Sequence, residues 1–245
     1  MLPPIARRCL AAVAELVWPR YCLVCDVPLP ETAPAGCVCE ACRAAILTDP
    51  HDTCPRCTST VGPHADTAKG CPRCKNERFR FASAVRLGPY DGPLRDAILR
   101  MKHAPGEPLA ETLGELWANA RRESLLKSNP TAVVPIPLHW RKRWQRGYNQ
   151  SESLARGVAS ALGIPCVPRF LARVRPTPSQ VAQTPTERRE NVRGAFRCRV
   201  RVKSAEVRIL LIDDVLTTGA TADAAAGVLR EAGVAQVSVA VLAHR

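Results

Sequence analysis

The chain has 245 residues, enough for one sizeable core and a small satellite unit. Apolar residues make up 46% of it and aromatic residues 4%, which suits an aliphatic α/β core, and no stretch reaches the roughly 18 uncharged apolar residues of a membrane span. A net charge of +13 points to an anionic partner, nucleic acid or phosphorylated substrate, and not to an acidic or membrane-embedded class.

General composition accounts for that surplus as well as function does, so the basic clusters carry more than the total. Arg141, Lys142, Arg143 and Arg146 form one cluster, and Arg188, Arg189 and Arg193 form another.

At the start, Arg7 and Arg8 precede an apolar stretch that resembles a short signal sequence, but Glu15 interrupts it and no small-residue cleavage site follows. Leu10, Val13, Ala14 and Val17 recur at helical spacing and predict a docking helix within 1–20.

Segment 21–78 holds four Cys-x-x-Cys pairs: Cys22/Cys25, Cys39/Cys42, Cys54/Cys57 and Cys71/Cys74. Two intervening residues let one turn present both sulfurs to a single Zn²⁺, and two such knuckles complete a tetrahedral site. Thirteen residues separate Cys25 from Cys39 and thirteen separate Cys57 from Cys71, so the module repeats and predicts two tandem zinc ribbons. Four thiolates per ion leave no open coordination position, which makes the zinc structural. A disulfide framework has no reason to repeat the spacing. Spacing leaves open whether the knuckles pair sequentially or crossed, and Cys37 offers an alternative to Cys39. Cys9, Cys166 and Cys198 are isolated and read as small buried hydrophobes.

The boundary falls near Lys75–Phe81, and the pattern alternates through 79–245. Strands are expected at Phe81–Leu87, Ala132–Ile136, Ile209–Ile212 and Val237–Leu242. Helices are expected at Pro93–Met101, Leu109–Leu126, Gln150–Leu162 and Ala222–Ala232, the last closed by Gly233. Apolar strands separated by helices imply a parallel sheet covered on both faces, with ligands beyond the carboxyl ends of the strands.

One strand end has the parts for a sugar phosphate. Ile209, Leu210, Leu211 and Ile212 lead into Asp213 and Asp214, then Val215, Leu216, Thr217, Thr218, Gly219, Ala220 and Thr221, and a helix follows directly. The adjacent carboxylates can accept hydrogen bonds from sugar hydroxyls. The Thr/Gly turn opens a helix whose N–H groups and positive dipole end suit a phosphate.

That segment is similar to the phosphoribosylpyrophosphate motif of type I phosphoribosyltransferases. Val134-Pro135-Ile136-Pro137 with Arg141, Arg143 and Arg146-Gly147-Tyr148-Asn149-Gln150 resembles the ComF/GntX family. The segments from Arg175 through Gln180 and from Glu187 through Phe196 resemble it too, as do Ile98–Lys102 and the paired zinc knuckles.

The resemblance implies a type I phosphoribosyltransferase fold, an α/β architecture with a parallel sheet flanked by helices, behind a small N-terminal zinc-ribbon module. It implies binding of 5-phosphoribosyl-1-pyrophosphate with Mg²⁺, transfer of the phosphoribosyl group to an unidentified acceptor, and a cytoplasmic setting. Asp213 and Asp214 then take the ribose hydroxyls as the catalytic pair and Thr217–Thr221 the 5′-phosphate, within a binding run that includes Val215 and Leu216. Arg141, Arg143, Arg146 and Lys102 become donors to the diphosphate. The polar segment 175–191 reads either as a lid carrying Gln180, Arg188 and Arg189 or as a plain exposed loop. The arginine cluster reads equally as a solvated or nucleic-acid-binding face.

By the same resemblance the protein is an enzyme, a non-catalytic binder of the sugar diphosphate, or a single-stranded DNA-handling protein. The last would act with a competence helicase or uptake machinery. Trp140, Trp144 and Tyr148 interleave with the arginines and are either base-stacking groups or apolar cover for the sheet mouth. His103 and His139 lack visible partners and read as surface residues.

Overall fold

The computed structural model describes residues 20–30, 32–33, 38–103, 105–176, 185–202, 204 and 206–245. The docking helix expected within 1–20 lies outside the described residues, apart from residue 20.

In chain order the elements are α1 (Glu40–Leu47), β1 (Ser83–Pro89), α2 (Gly92–Arg100), α3 (Glu107–Ala120), α4 (Arg122–Leu126) and β2 (Ala132–Pro135). Next come α5 (Trp140–Arg146), α6 (Gln150–Leu162), β3 (Leu171–Arg173), α7 (Pro185–Val192) and β4 (Phe196–Cys198). The chain ends with β5 (Arg208–Leu216), α8 (Ala220–Glu231) and β6 (Gln236–His244).

Four strands form one parallel sheet in the order β1-β6-β5-β2, and β3 pairs with β4 as a separate antiparallel hairpin. Side chains alternate across the central strands, as the strand period requires. Leu210, Ile212, Ala240 and Leu242 face a core with Leu113, Trp117, Leu154 and Val158 from α3 and α6. Ile209, Leu211, Val237, Val239 and Val241 face the other core, with Ala222, Ala225 and Leu229 of α8 and Phe196 of β4. Burial on both faces is the environment in which a parallel sheet is stable, and it explains the continuous apolar runs. The architecture is the expected one: a parallel sheet flanked by helices, with a cysteine-rich unit at the N-terminal side.

Differences lie at helix ends and in short elements. The helix expected over Leu109–Leu126 is two, because Arg121 leaves helical geometry with φ −125° and ψ 29°. Neither Gly nor Pro marks that break. Strand β5 is longer than its apolar run and carries both acids within it, while α1, α5, β3 and β4 are too short to announce themselves by periodicity.

The cysteine-rich unit is tied to the sheet by a buried cation. Arg86 of β1 pairs through Nε with Asp49 Oδ2 at 2.9 Å and donates from Nη1 to Thr58 O at 3.0 Å. On the other side of the same knuckle, Ser59 Oγ and His244 Nε2 are 3.2 Å apart.

Candidate sugar-phosphate cleft and cysteine clusters

Strand β5 is buried through Ile212, and its next residues reach the edge of the sheet. There Asp213 Oδ1 accepts from Ser151 Oγ at 3.0 Å and from its neighbour's N–H, Asp214 N, at 3.0 Å. Ser151 sits in the first turn of α6, so the helix that covers β5 also orients the first acid. Asp214 Oδ2 pairs with Lys102 Nζ at 2.9 Å, and its Oδ1 accepts from Val215 N at 2.8 Å.

Removal from water, and then the charge of Asp214, push the Asp213 carboxyl up to about 7; hydrogen bonds from Asp214 N and Ser151 and the charge of Arg173 oppose the rise.

Beyond the acids the chain turns at Gly219, whose φ of 77° is left-handed, and α8 starts at Ala220. A side chain at Gly219 would also meet Phe79 at 3.1 Å. Thr217, Gly219, Ala220 and Thr221 line a cleft of about 250 Å³ together with Asp213 and Asp214. Four cationic residues complete it: Lys102, Lys142, Arg146 and Arg173. The buried Gln150 Oε1, which has no hydrogen-bond partner among the described residues, belongs to the same lining.

Thus the structure brings Asp213, Asp214, most of 215–221, Lys102 and Arg146 to one cleft. Thr218 instead lines a neighbouring cavity with Phe79 and Arg80. Arg141 lies over the Trp140 ring at 5.3 Å, and Arg143 pairs with Glu152 Oε2 at 3.4 Å in an adjacent cavity. Arg189 pairs with Glu77, Arg188 lies on α7, and Gln180 lies outside the described residues.

Ser151 and Arg173 escaped the sequence reading, and Lys142 entered it only as a member of the basic cluster and not as a donor. Lys142 was masked by its arginine neighbours, and burial followed by Arg173 and Arg146 holds its ammonium below the usual lysine range. Arg173 ends the short apolar strand β3, where one charge after Leu171 and Ala172 was the only signal.

The surface reading fits His103, which is exposed, and needs a correction for His139. His139 is buried, and its Nδ1 accepts from Arg141 N at 3.4 Å, capping α5. Tyr148 is also buried and its hydroxyl donates to Met101 O, whereas Trp140 and Trp144 are 64% and 85% exposed. Cover of the sheet mouth therefore describes Tyr148 and not Trp144.

The eight cysteines form two groups, Cys22, Cys25, Cys39 and Cys42, then Cys54, Cys57, Cys71 and Cys74, with the sulfurs of each group within 4.8 Å of one another. The knuckles pair sequentially. Cys39 is in the first group, and Cys37 lies outside the described residues. Burial disfavours the Cys22 thiolate, yet backbone N–H groups of Cys39, Cys25 and Val24 outweigh it and bring the thiol down to about 6. Cys54 comes down to about 7 in the same way, with N–H groups from Arg56, Cys57 and Cys71. This donor set fits a structural zinc ion: four sulfurs, with the N–H groups that stabilise thiolate. Cys166 and Cys198 are only partly buried, a smaller degree of burial than expected.

No family model matches the chain. It is 31% identical over 207 residues to Competence protein F of Haemophilus influenzae, covering 82% of this chain and 88% of that protein. The chain belongs to the ComF family. This ComF-family chain is also 30% identical over 228 residues to DNA utilization protein YhgH of Salmonella typhimurium, covering 91% and 96%. Competence protein ComFC of Bacillus subtilis is 24% identical over 228 residues, covering 86% and 89%. Among the described residues no helix is long and apolar enough to cross a membrane.

Proposed function

We propose that the cleft binds 5-phosphoribosyl-1-pyrophosphate with Mg²⁺, and that this ComF-family protein transfers or recognises phosphoribosyl groups in the handling of incoming DNA in the cytoplasm. One observation carries the reading: an acid pair, the start of a 12-residue helix and four cations line a single cleft. The helix start and Thr217 and Thr221 suit the 5′-phosphate, because aligned peptide dipoles favour an anion there. Asp213 and Asp214 suit ribose hydroxyls, with Gln150 Oε1 as a further acceptor. Lys102, Lys142, Arg146 and Arg173 suit the diphosphate.

Phosphoribosyl transfer breaks the bond from the anomeric carbon to the pyrophosphate oxygen, and an acceptor lone pair forms the new one. Bound Mg²⁺ would neutralise part of the leaving charge, with Asp213 and Asp214 the residues able to hold it. The cationic side chains stabilise the pyrophosphate as it departs, while the carboxylates offset positive charge on the ring. Zinc at the two cysteine clusters would stabilise the fold without entering the reaction.

Calorimetry on metallated protein tests the reading. Heat with the sugar diphosphate and Mg²⁺ that vanishes in Asp213→Ala with Asp214→Ala supports it; no heat with the unaltered chain refutes it. Pyrophosphate release in the presence of an acceptor separates a transferase from a non-catalytic binder.

A second reading has its own observation. Trp140 and Trp144 lie one helical turn apart on α5, which has no buried residue, and both are exposed among Arg141, Lys142, Arg143 and Arg146. Exposed rings beside cations suit stacked bases and a phosphate backbone, so single-stranded DNA delivered by a competence helicase or uptake machinery is the proposed partner. Trp140→Ala with Trp144→Ala then weakens binding of a single-stranded oligonucleotide by about 2–6 kcal/mol in all, at about 1–3 per stacked base. Unchanged affinity would dismiss this partner surface.

A further inference from the structure

Residues 77–81 run from the second cysteine cluster to the phosphate turn, and contacts fasten them at both ends. At the cluster, Arg56 lies between Cys54 and Cys57 and donates to Lys69 O and Glu77 O, each at 2.8 Å. Phe79 packs on the buried group Cys54, Cys57, Cys71 and Cys74 and stacks on Phe81 with ring centroids 4.5 Å apart.

At the turn, the same Phe79 ring lies against Gly219, where an added Cβ would come within 3.1 Å of it. Arg80 grips the first turn of α8: its N–H reaches Asp223 Oδ1 at 2.6 Å, and Nε and Nη2 reach Asp223 Oδ2 at 3.1 and 2.9 Å. One aromatic ring therefore touches both the cysteine cluster and the glycine on which the turn pivots. The next residue clamps the helix that the turn opens.

We propose that Phe79 and Arg80 are positioning residues for the phosphate turn, and that metal binding by Cys54, Cys57, Cys71 and Cys74 sets how well the turn is ordered. The physical reason is that a small cysteine unit draws much of its folding free energy from its ion. Without the ion, the cluster no longer fixes the Phe79 ring, and Gly219 regains the freedom that the ring removes. The first cluster gives an internal comparison, since Cys22 and its neighbours pack with Val24, Ile46 and Leu94 on the opposite side of the sheet. The effect on ligand affinity rests on the phosphoribosylpyrophosphate reading; the effect on order does not.

Amide hydrogen exchange over Thr217–Asp223 in the full, metallated chain tests this. Phe79→Leu with Arg80→Gln, at unchanged zinc content, should speed exchange there about tenfold, the signature of a lowered local opening free energy. Cys71→Ser should do the same, and Cys39→Ser should leave the segment as it was. Unchanged exchange in the Phe79/Arg80 variant overturns the proposal, as does an equal response to Cys39→Ser. Calorimetry with phosphoribosylpyrophosphate and Mg²⁺ should show about tenfold weaker binding in that variant. If the unaltered chain gives no heat, the ligand reading fails, and exchange alone decides the coupling.

Discussion

Lys102 Nζ lies 2.9 Å from Asp214 Oδ2, which ties the turn after α2 to the second acid of β5. Both side chains are largely shielded, at 23% and 13% exposure, so the pair is stronger than a surface contact. Lys102→Met strands the Asp214 carboxylate and removes one of the four cleft cations. The expected outcome is a stability loss of about 1.5–3 kcal/mol in chemical denaturation, the range for a hydrogen bond to a charged group. Calorimetry should show at least about tenfold weaker binding of the sugar diphosphate, a loss of about 1.4 kcal/mol.

Asp213 gives a pH prediction in which stability and binding move oppositely. Its carboxyl sits at about 7, against an ordinary value of 3.8. Between those values the folded chain holds more protons than the unfolded one, so this group makes stability fall as pH rises from about 4 to about 7. His244 acts with the other sign: burial, then Arg73 and Arg86, bring it down to about 4, so it adds stability as pH rises from about 4 to 6.5. The test is therefore a difference. The melting temperature of Asp213→Asn minus that of the unaltered chain should grow from pH 5 to pH 8. Affinity for the sugar diphosphate should rise over pH 6 to 8 in the unaltered chain only, because ribose hydroxyls need the ionised acceptor.

What was legible in the sequence follows from what local pattern can encode. Ile209–Ile212 are apolar because both faces of β5 are covered, and Asp213 and Asp214 follow where that cover gives way to the cleft, while the strand itself runs on to Leu216. Those are consecutive residues, and one window shows them all. Arg173 and Ser151 join the same cleft from β3 and α6, and only the packing of the hairpin and helix on the sheet decides that they meet Asp213. The choice of Lys142 over Arg141 and Arg143 for the cleft depends on the seven-residue helix α5, whose rotation sends the charges in different directions and which has no buried residue to reveal it.

The seating of α6 on α3 is tight enough to predict from one methyl group. A Cβ at Gly157 would stand 2.1 Å from Glu111 O, and one at Gly114 would stand 2.3 Å from Leu154 O, both backbone atoms that cannot rotate away. Gly157→Ala must push the helices apart, at a cost of about 1–3 kcal/mol or more, despite alanine's better helix propensity. Because α6 carries Ser151, the displacement should also weaken its bond to Asp213. Thermal denaturation checks the first effect, and a lower affinity for the sugar diphosphate at pH 8 checks the second.

Sequential pairing of the knuckles fixes the metal content and the response to removing ligands. Two independent four-sulfur groups predict two zinc ions per chain, and Cys71→Ser should leave one. Crossed pairing would join Cys22 and Cys25 to the third or fourth knuckle, and each ion would then span both repeats. Chelation should unfold the second group at a greater structural cost, because all four of its cysteines are buried while Cys25 of the first is exposed. Its loss also frees the knuckle that holds Arg86 through Thr58 O and His244 through Ser59. Metal analysis of the unaltered and Cys71→Ser chains, followed by thermal denaturation with and without chelator, should give two ions, one ion and a melting temperature lowered by metal removal. A single ion in the unaltered chain would contradict two complete four-sulfur sites.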